Sequence, residues 1–324
     1  MKATTSPFIS IIIPSYNSAH TIGRTLDGIR SQINFHKILE IIIVDSSDDS
    51  ITKEFFDSIK SPLIKIITSG IRVMPAKQRN IGAEAAKGNL LVFIDSDAIP
   101  SEDWLHQIEK VYLDGYKVGG GSYLIDPSQI NHKMVVAEYY FELGEFIPAG
   151  NLRYKKVVPS CNLFCDRDLF KQVNGFPLIR ASEDSLFCLK VNKISHLCFV
   201  PEASVIHIFR ENQAGALTNL RMLGKFVIIY RKLFYPKIYN NINHLILLYP
   251  LIVLFKFFKV YLRALNYGWY HFSMLNYSFS ELILCIDSWS AGLWDGIFDK
   301  SAIHHELPDF ELSRSKEIIS SRIG

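Results

Sequence analysis

The first two thirds of the chain contain short apolar runs that end abruptly at proline or aspartate. Residues 8–13, 39–44 and 90–94 are three such runs. Runs of this length with few polar interruptions predict strands that are buried on both faces. We therefore expect a sheet that is covered by other elements on each side.

Segments of helical periodicity separate these strands. Isoleucine and leucine recur at positions 22, 26, 29 and 33, after Ser18, a residue that can cap a helix. Residues 76–87 predict another helix, which Gly88 closes. Strands alternating with such helices predict right-handed βαβ units, an α/β fold and a mostly parallel, Rossmann-like sheet with flanking helices. The other predicted helices cover residues 51–59, 101–114, 133–146 and 166–173 and a segment that Ser182 can cap, and the other strands cover residues 63–68, 116–125, 160–165, 197–200 and 204–208.

Two acidic residues follow the most apolar of these strands. Asp95 and Asp97 come directly after the run at 90–94 in the stretch NLLVFIDSDAIP. Residues two apart on extended backbone share a face, and ligands of open α/β sheets bind at the carboxyl ends of strands. Two carboxylates there suit Mg²⁺ or Mn²⁺, which would in turn hold a diphosphate. Taken alone, the pair is also compatible with an ordinary turn.

Other side chains are expected at the same edge of the sheet. Pro14 and Tyr16 follow the first strand, and Asp45 follows the second. An aromatic ring and a carboxylate can stack on a nucleobase and accept its ring N–H. Arg79 and Asn80 lie near the start of the helix that leads to the aspartate pair, where cations and helix amides suit phosphate. Tyr16 could equally pack a loop, and Arg79 could be a solvated surface charge.

A second acidic pair and a histidine occur later in the chain. Glu183 and Asp184 begin a predicted helix, and His207 ends a late strand. A carboxylate in a cleft can act as a general base. Glu183 could also be a first-turn acid favoured by the helix dipole, and a lone strand histidine can be purely structural.

The last third of the chain differs in character from the rest. Residues 215–234 and 244–262 are apolar segments that carry lysine and arginine, and residues 281–298 are apolar but contain Asp287 and Asp295. The middle one has only about eleven residues free of charge, short of the roughly twenty that a spanning helix needs, and Pro250 interrupts it. We expect helices that lie in a membrane interface. A helical cap, a dimer surface and a true membrane span remain alternatives. The expected domains are residues 1–209 and residues 210–324.

Bulk properties exclude some classes of protein. The net charge of the 324 residues is only +3, so we expect no nucleic-acid partner. Five cysteines without a C-x-x-C pair suit a reducing compartment and imply no zinc site. The N-terminal apolar run is too short for a signal peptide, so we expect this part to stay in the cytoplasm.

Taken in order, these motifs resemble those of the family 2 glycosyltransferases of GT-A fold. The matching stretches lie between residues 8 and 207 and read ISIIIPSYN, IIIVDSSDDS, RNIGAEAAKGNLLVFIDSD, CNLFCDRDLFKQVNGF, ASED and VPEASVIH. One departure is that Ser46 and Ser47 stand where many members have a second aspartate and a glycine. This departure leaves the identity of the nucleotide open.

The resemblance implies a role for each matching residue. Pro14, Tyr16 and Asp45 would hold the nucleotide base. Arg79 and Asn80 would steady the phosphates and the aspartate pair. Asp95 would contact the ribose or sugar, and Asp97, with Asp95 and His207, would hold the metal. Asp184 would be the general base, Glu183 would orient or assist it, and Asn162 would line the acceptor side.

The resulting prediction is an inverting glycosyltransferase that depends on Mg²⁺ or Mn²⁺, at the cytoplasmic face of the cell membrane. It would transfer a sugar from a nucleotide donor, with UDP-sugars favoured, to a lipid-linked or surface-glycan acceptor. Two alternatives remain open. One is a polyprenyl- or dolichyl-phosphate sugar synthase, whose acceptor is the lipid phosphate. The other is a catalytically silent, nucleotide-sugar-binding scaffold in a glycan-assembly complex.

Overall fold

The structure, a computed structural model, describes residues 7–299 and comprises a mixed sheet, the helices flanking it and a group of C-terminal helices. The strands are β1 (Ile9–Ser15), β2 (Ile38–Asp45), β3 (Ile64–Thr68), β4 (Leu90–Ile94), β5 (Ala98–Pro100), β6 (Val118–Ile125), β7 (Arg153–Tyr154), β8 (Asn162–Asp166) and β9 (Cys198–His207). The helices are α1 (Ile22–Arg30), α2 (Ser50–Ser58), α3 (Pro75–Ala85), α4 (Trp104–Leu113), α5 (Lys133–Glu142), α6 (Arg167–Gln172), α7 (Glu183–Val191), α8 (Gln213–Phe234), α9 (Pro236–Tyr239), α10 (Ile242–Asn266), α11 (Trp269–Tyr277) and α12 (Phe279–Phe298). The described strands form one sheet in the order β3-β2-β1-β4-β8-β6-β9-β5, with β7 added beside β9.

The first half of the sheet is parallel. Strands β3, β2, β1 and β4 pair in parallel, with Ser15 opposite Asp45 where β1 and β2 end. Every residue of β1 and β4 is buried, as the uninterrupted apolar runs predict. Each buried isoleucine or leucine of these strands contributes about 1.5–3 kcal/mol. The predicted βαβ units are confirmed here, and they bring Asp45 and Asp95 to one edge of the sheet.

The second half of the sheet is mixed. Strand β8 runs antiparallel to β4 and to β6, whereas β6 and β9 are parallel. Parallel pairing therefore extends through the first four strands and recurs between β6 and β9, so the described sheet is mixed and not mostly parallel. The two predicted late strands are one strand, β9, which shifts register opposite Gly121 and Ser122. A Cβ on Gly121 would lie 1.8 Å from the Ala203 carbonyl oxygen, so this close approach of β6 and β9 requires glycine.

The capping prediction for Ser18 is wrong. Its hydroxyl lies 2.7 Å from the Ser15 hydroxyl, and only its carbonyl oxygen accepts the Ile22 N–H. Helix α1 ends at Arg30, because the Ser31 N–H closes the last turn on the Asp27 carbonyl. Ile33 lies beyond that turn and is 66% exposed, so it does not continue the helical face.

Two further predictions about helix ends are also wrong. Helix α3 ends at Ala85, before Gly88, and a Cβ on Gly88 would lie 2.5 Å from the Phe8 carbonyl oxygen. Gly88 is therefore required by the contact with the chain entering β1, not by a helix terminus. Ser182 precedes α7 with φ 62° and ψ 22°, and its side chain makes no capping hydrogen bond.

Two of the C-terminal helices, α8 and α12, pack closely on each other through glycine contacts. A Cβ on Gly224 of α8 would lie 2.0 Å from the Trp289 carbonyl, and one on Gly292 of α12 would lie 1.9 Å from the Arg221 carbonyl. Helix α12 also contacts α5 of the sheet domain. Helices α8 and α12 thus form a cap on the domain, while residues 300–324 of the predicted second domain, like residues 1–6 of the first, lie outside the described residues.

Helix α10 is longer than the sequence pattern indicated. It runs unbroken through Pro250 for 25 residues, so the prediction that proline interrupts the segment is wrong. Within residues 7–299 it is the one helix that is long and apolar enough to cross a membrane, judged by length and composition alone. Leu247, Leu251 and Phe255 on its outer face are 74%, 61% and 68% exposed. Helix α11 was not predicted.

Candidate active site

A cavity of about 450 Å³ opens at the carboxyl edge of the sheet, beneath the C-terminal helices. One end is formed by the strand termini and the start of α7. The other end is formed by α5 and three C-terminal helices. The polar and aromatic residues that line the cavity include Arg79, Asp95, Asp97, Glu183, Asp184, His207 and Arg210 at the first end, and Glu138, Phe141, Glu142, Asn219, Lys256 and Trp289 at the second.

Arg79 joins the two acidic pairs. Its Nη2 lies 2.6 Å from Asp95 Oδ1 and its Nη1 lies 3.0 Å from Glu183 Oε1, while its side chain is only 3% exposed. Burial lowers the pKa of Arg79, but the carboxylates of Asp95 and Glu183 outweigh this effect and the net pKa is raised. A guanidinium can hold two carboxylates at once because its donors form a planar fork. Arg79 therefore fixes the start of α7 against the end of β4.

Glu183 and Asp184 enter the cavity from the first turn of α7. The left-handed conformation of Ser182 turns the chain immediately before them. Burial, and then the charge of Asp184, raise the pKa of Glu183 to about 7 despite Arg79. Burial also raises the pKa of Asp184, although its Oδ1 accepts a 2.6 Å hydrogen bond from the Ser185 N–H. A half-buried carboxylate with a raised pKa is suited to accept a proton from a bound hydroxyl group.

Asp97 and His207 face each other across β5 and β9. Asp97 Oδ1 lies 3.7 Å from His207 Nε2, and among the described residues neither Asp97 Oδ1 nor His207 Nδ1 has a hydrogen-bond partner. Burial raises the pKa of Asp97, and the charges of His207 and Arg210 partly offset this. An inaccessible carboxylate oxygen without a donor, beside an imidazole, fits a divalent cation.

The predicted metal ligands are not equally available. One oxygen of Asp95 is held by Arg79, which leaves Asp97 and His207 as the better-placed pair. Within residues 7–299, no three His, Cys, Asp or Glu side chains are arranged to hold a metal ion by themselves. The protein therefore offers a partial coordination shell, which a diphosphate would have to complete.

The residues predicted to hold a nucleobase lie at the neighbouring strand ends and do not line this cavity. Asp45 is 1% exposed and accepts hydrogen bonds from the hydroxyls of Ser15, at 3.0 Å, and Ser47, at 2.5 Å. The Tyr16 hydroxyl donates to Asp48, and Arg72 covers the Tyr16 ring at 4.2 Å. Pro14 is part of the buried strand β1. Ser47, at the position where the motif usually has glycine, thus holds the Asp45 carboxylate in place.

Two predicted residues have structural contacts instead. Both ends of the Asn80 amide bond the Phe176 backbone, at 2.8 and 2.9 Å. Asn162 is fully buried, accepts from Trp104 Nε1 and donates to the carbonyls of Ser122 and Ala203. The structure brings neither side chain to the cavity, so their predicted roles toward phosphate and acceptor gain no support from the geometry.

Sequence reasoning missed the residues at the second end of the cavity. Glu138 and Glu142 belong to α5, Asn219 to α8 and Lys256 to α10. The one signal in the sequence is that two glutamates occur four residues apart in an otherwise mainly apolar helix, which places them on one face. Arg210, three residues after His207, was also missed, although its charge acts on Asp97, Glu138 and Glu142 alike.

Comparison with known proteins agrees with this arrangement. The sequence profile described as Glycosyl transferase family 2 matches residues 10–170, which include the aspartates at the ends of β2 and β4. The chain belongs to glycosyl transferase family 2. In this family 2 glycosyltransferase, the profile ends before α7, so Glu183, Asp184 and His207 lie outside the matched residues.

Two curated relatives with related sequences are archaeal and bacterial. The chain is 27% identical over 177 residues to glycosyltransferase AglE of Haloferax volcanii, a match that covers 54% of this chain and 57% of AglE. It is 28% identical over 219 residues to WfgD of Escherichia coli, named a UDP-Glc:α-D-GlcNAc-diphosphoundecaprenol β-1,3-glucosyltransferase, covering 65% of this chain and 80% of WfgD.

Solved structures share the GT-A fold with this protein. Mannosyltransferase PcManGT from Pyrobaculum calidifontis, in complex with GDP-Man and Mn²⁺, has a TM-score of 0.60 at 17% identity and covers 92% of this chain and 89% of its own. GalNAc-T7 with UDP, GalNAc and Mn²⁺ has a TM-score of 0.50 at 18% identity and covers 63% of this chain and 43% of its own. The predicted fold class is thereby confirmed.

Proposed function

We propose that this glycosyltransferase moves a sugar, with inversion, from a nucleoside-diphosphate donor to an acceptor hydroxyl. The observation that carries the proposal is that Asp97 and Asp184 line one cavity, while Arg79 ties their neighbours Asp95 and Glu183 together. Direct displacement has two requirements: a site that stabilises the leaving diphosphate and a base that accepts the proton of the attacking hydroxyl.

The donor would lie along the sheet edge, with its base near Asp45 and Tyr16 and its diphosphate near Asp97. Arg79 is already held between two carboxylates, so we assign it a positioning role and not a direct phosphate contact. Arg210 is better placed to balance the diphosphate charge, because it lines the cavity and its charge acts on Asp97. Asp95 would contact the ribose or the sugar.

Asp97 and His207 would hold Mg²⁺ or Mn²⁺ with oxygens of the diphosphate. When bound, the ion would neutralise the negative charge that develops on the leaving group. The oxygen of Asp97 that lacks a hydrogen-bond partner supports this assignment. Two structures of similar fold contain Mn²⁺.

Asp184 would act as the general base. The acceptor oxygen would attack the anomeric carbon as the bond from that carbon to the diphosphate oxygen breaks. The hydroxyl proton would pass to the Asp184 carboxylate, and the diphosphate would leave with the bonding electron pair. Attack from the face opposite the leaving group inverts the anomeric configuration.

The acceptor is proposed to be attached to a lipid. Helix α10 presents an exposed apolar face, and the E. coli relative is named for a diphosphoundecaprenol-linked acceptor. Lys256 donates to the Phe141 carbonyl at 2.9 Å and Arg263 pairs with Glu145, so the second half of α10 is held against the sheet domain. These contacts favour a helix that lies on the membrane surface over one that crosses the bilayer. We propose that this surface is the cytoplasmic face of the membrane.

The experiment is a transfer assay with a synthetic GlcNAc-diphosphate-lipid acceptor and a panel of UDP-sugars and GDP-mannose, with Mn²⁺ or Mg²⁺. We expect one donor to give a product whose new linkage, seen by NMR, has the inverted configuration. A retained configuration would refute the mechanism. Full activity of Asp184→Asn on a bare polyprenyl phosphate would favour the synthase alternative, because a phosphate acceptor needs little general base.

A further inference from the structure

The second end of the cavity contains a buried carboxylate that the proposed reaction does not use. Glu138 is 4% exposed, lines the cavity, and its Oε2 has no hydrogen-bond partner among the described residues. Burying a carboxylate oxygen without a donor is costly, so such an oxygen points to a ligand that supplies one.

Glu138 is accompanied by groups of complementary chemistry. Glu142 lies one helical turn further along α5 and also lines the cavity, and the Asn219 amide is 3.4 Å from Glu142 Oε1. Carboxylates and amides are acceptors and donors for hydroxyl groups. Together they form a short polar strip along one side of this end of the cavity.

Two aromatic rings also line this end of the cavity. The rings of Phe141 and Trp289 pack edge to face with centroids 5.8 Å apart. Lys256 Nζ lies 4.1 Å from the Phe141 ring centre and 5.5 Å from that of Trp289, and it donates to the Phe141 carbonyl. Lys256 thereby holds α10 and the aromatic wall together. Apolar rings and hydroxyl acceptors that line the same space match a sugar ring, which has C–H faces and a rim of hydroxyls.

Charge distinguishes the two ends of the cavity. Burial raises the pKa of Glu138 to about 7, and burial together with the charge of Glu138 raises the pKa of Glu142 to about 8, so both side chains are charged only above about pH 8. In that state two glutamates one turn apart repel an anion, so a diphosphate is disfavoured beside them. Arg210 lies between the ends, since its charge acts on Asp97 at one end and on both glutamates at the other. The donor diphosphate therefore belongs at the Asp97 end, and an uncharged sugar belongs at the Glu138 end.

We propose that Glu138, Glu142, Asn219 and Trp289 form the subsite for an uncharged acceptor sugar, with the glutamates accepting hydrogen bonds from its hydroxyls and excluding acidic sugars. The inference rests on the proposed function, because it identifies the acceptor side of the same reaction. It also means that the acceptor subsite is completed by the C-terminal helices and not by the sheet domain alone.

The test is saturation-transfer NMR on the full chain at about pH 9, where both glutamates are charged, with uridine diphosphate and the diamagnetic ion Mg²⁺ present. The probes are methyl β-glycosides of glucose, galactose and N-acetylglucosamine, with methyl β-glucuronide as the acidic counterpart. We expect at least one neutral glycoside to bind the unaltered protein and the glucuronide not to bind. Glu138→Gln should weaken the neutral glycoside by roughly tenfold or more, since a hydrogen bond to a charged group is lost.

The glucuronide provides a readout that a merely structural role would not change. In the double variant Glu138→Gln with Glu142→Gln, binding of the glucuronide should appear, because both repelling charges are removed. Glu142→Gln alone, at a half-buried position, serves if the buried substitution prevents folding. Glu109→Gln, another buried helical glutamate but outside the cavity, is the matched control and should bind all probes like the unaltered protein.

The outcomes separate the two proposals. Binding of uridine diphosphate with no glycoside bound, or equal glycoside binding by the unaltered protein and Glu138→Gln, overturns the subsite and leaves the donor site standing. Equal binding of glucuronide and neutral glycosides by the unaltered protein also overturns it. Absence of nucleotide binding from folded protein overturns the proposed function and the subsite with it.

Discussion

Removing the positive charge of Arg79 should destabilise the protein substantially. Arg79→Met removes the cation that pairs with Asp95 and Glu183. The side chains of these two acids are 28% and 13% exposed, so their charges remain partly buried without a partner. Breaking a buried ion pair by removing one partner costs about 3–5 kcal/mol, and partial exposure of both acids places the cost near about 3 kcal/mol. For a protein of this size, we expect the melting temperature to fall by at least about 5 °C.

The assay is thermal unfolding with a matched control and a double variant. Arg30→Met removes an exposed arginine that pairs with Asp27 on one helix, and it should cost under about 0.5 kcal/mol. Adding Glu183→Gln to Arg79→Met should cost less than the sum of the single changes, because a neutral amide does not need the cation. A fall no larger than that of Arg30→Met, or strict additivity with Glu183→Gln, would refute the reasoning.

Three further predictions concern catalysis, packing and the membrane. Asp184→Asn should lower the rate of sugar transfer about 10²- to 10⁴-fold, while nucleotide binding, measured by calorimetry, persists. Because burial raises the pKa of Asp184, the activity of the unaltered enzyme should fall with falling pH through a pKa above that of an ordinary aspartate. A loss of activity that begins only at or below pH 4 would contradict this. Gly121→Ala should cost about 3 kcal/mol, measured by urea unfolding, because the new Cβ meets the Ala203 carbonyl, and unchanged stability would contradict the β6–β9 packing. Leu251→Asp should reduce the fraction of protein that sediments with anionic vesicles, whereas Leu178→Asp, at an exposed position of the sheet domain, should not. Equal reductions by the two variants would exclude α10 as the membrane-contacting helix.

The parts of the fold that follow from local pattern could be predicted from the sequence. Strands β1, β2 and β4 are apolar runs ended by proline or aspartate, and their parallel pairing follows from the helices between them. The position of Asp95 at the sheet edge follows from the same argument. The reversal of β8 could not be predicted, since strand direction depends on the path of the intervening chain and leaves no trace in the five residues of the strand itself.

The sequence predicted those residues of the cavity that belong to recognisable motifs, and it missed the others. Asp97 and Asp184 follow from their motifs, but the bridge from Arg79 to Glu183 joins residues 104 positions apart and depends on the packing of α7 against the sheet. Asn162 matches a motif, yet it is buried because it ties β6, β8 and β9 together. The Glu138 end of the cavity was missed because it exists only where α5 meets helices that come more than 70 residues later in the chain.

The most direct test of the central claim is a thermal-shift titration with nucleoside diphosphates and sugar nucleotides, each with and without Mn²⁺. A ligand that binds only the folded protein raises the melting temperature by mass action. We predict stabilisation by one nucleotide that requires Mn²⁺ and disappears in Asp97→Ala, while Asp184→Asn retains it. Folded protein that no nucleotide stabilises, or a shift that Asp97→Ala leaves intact, would contradict the donor site described here.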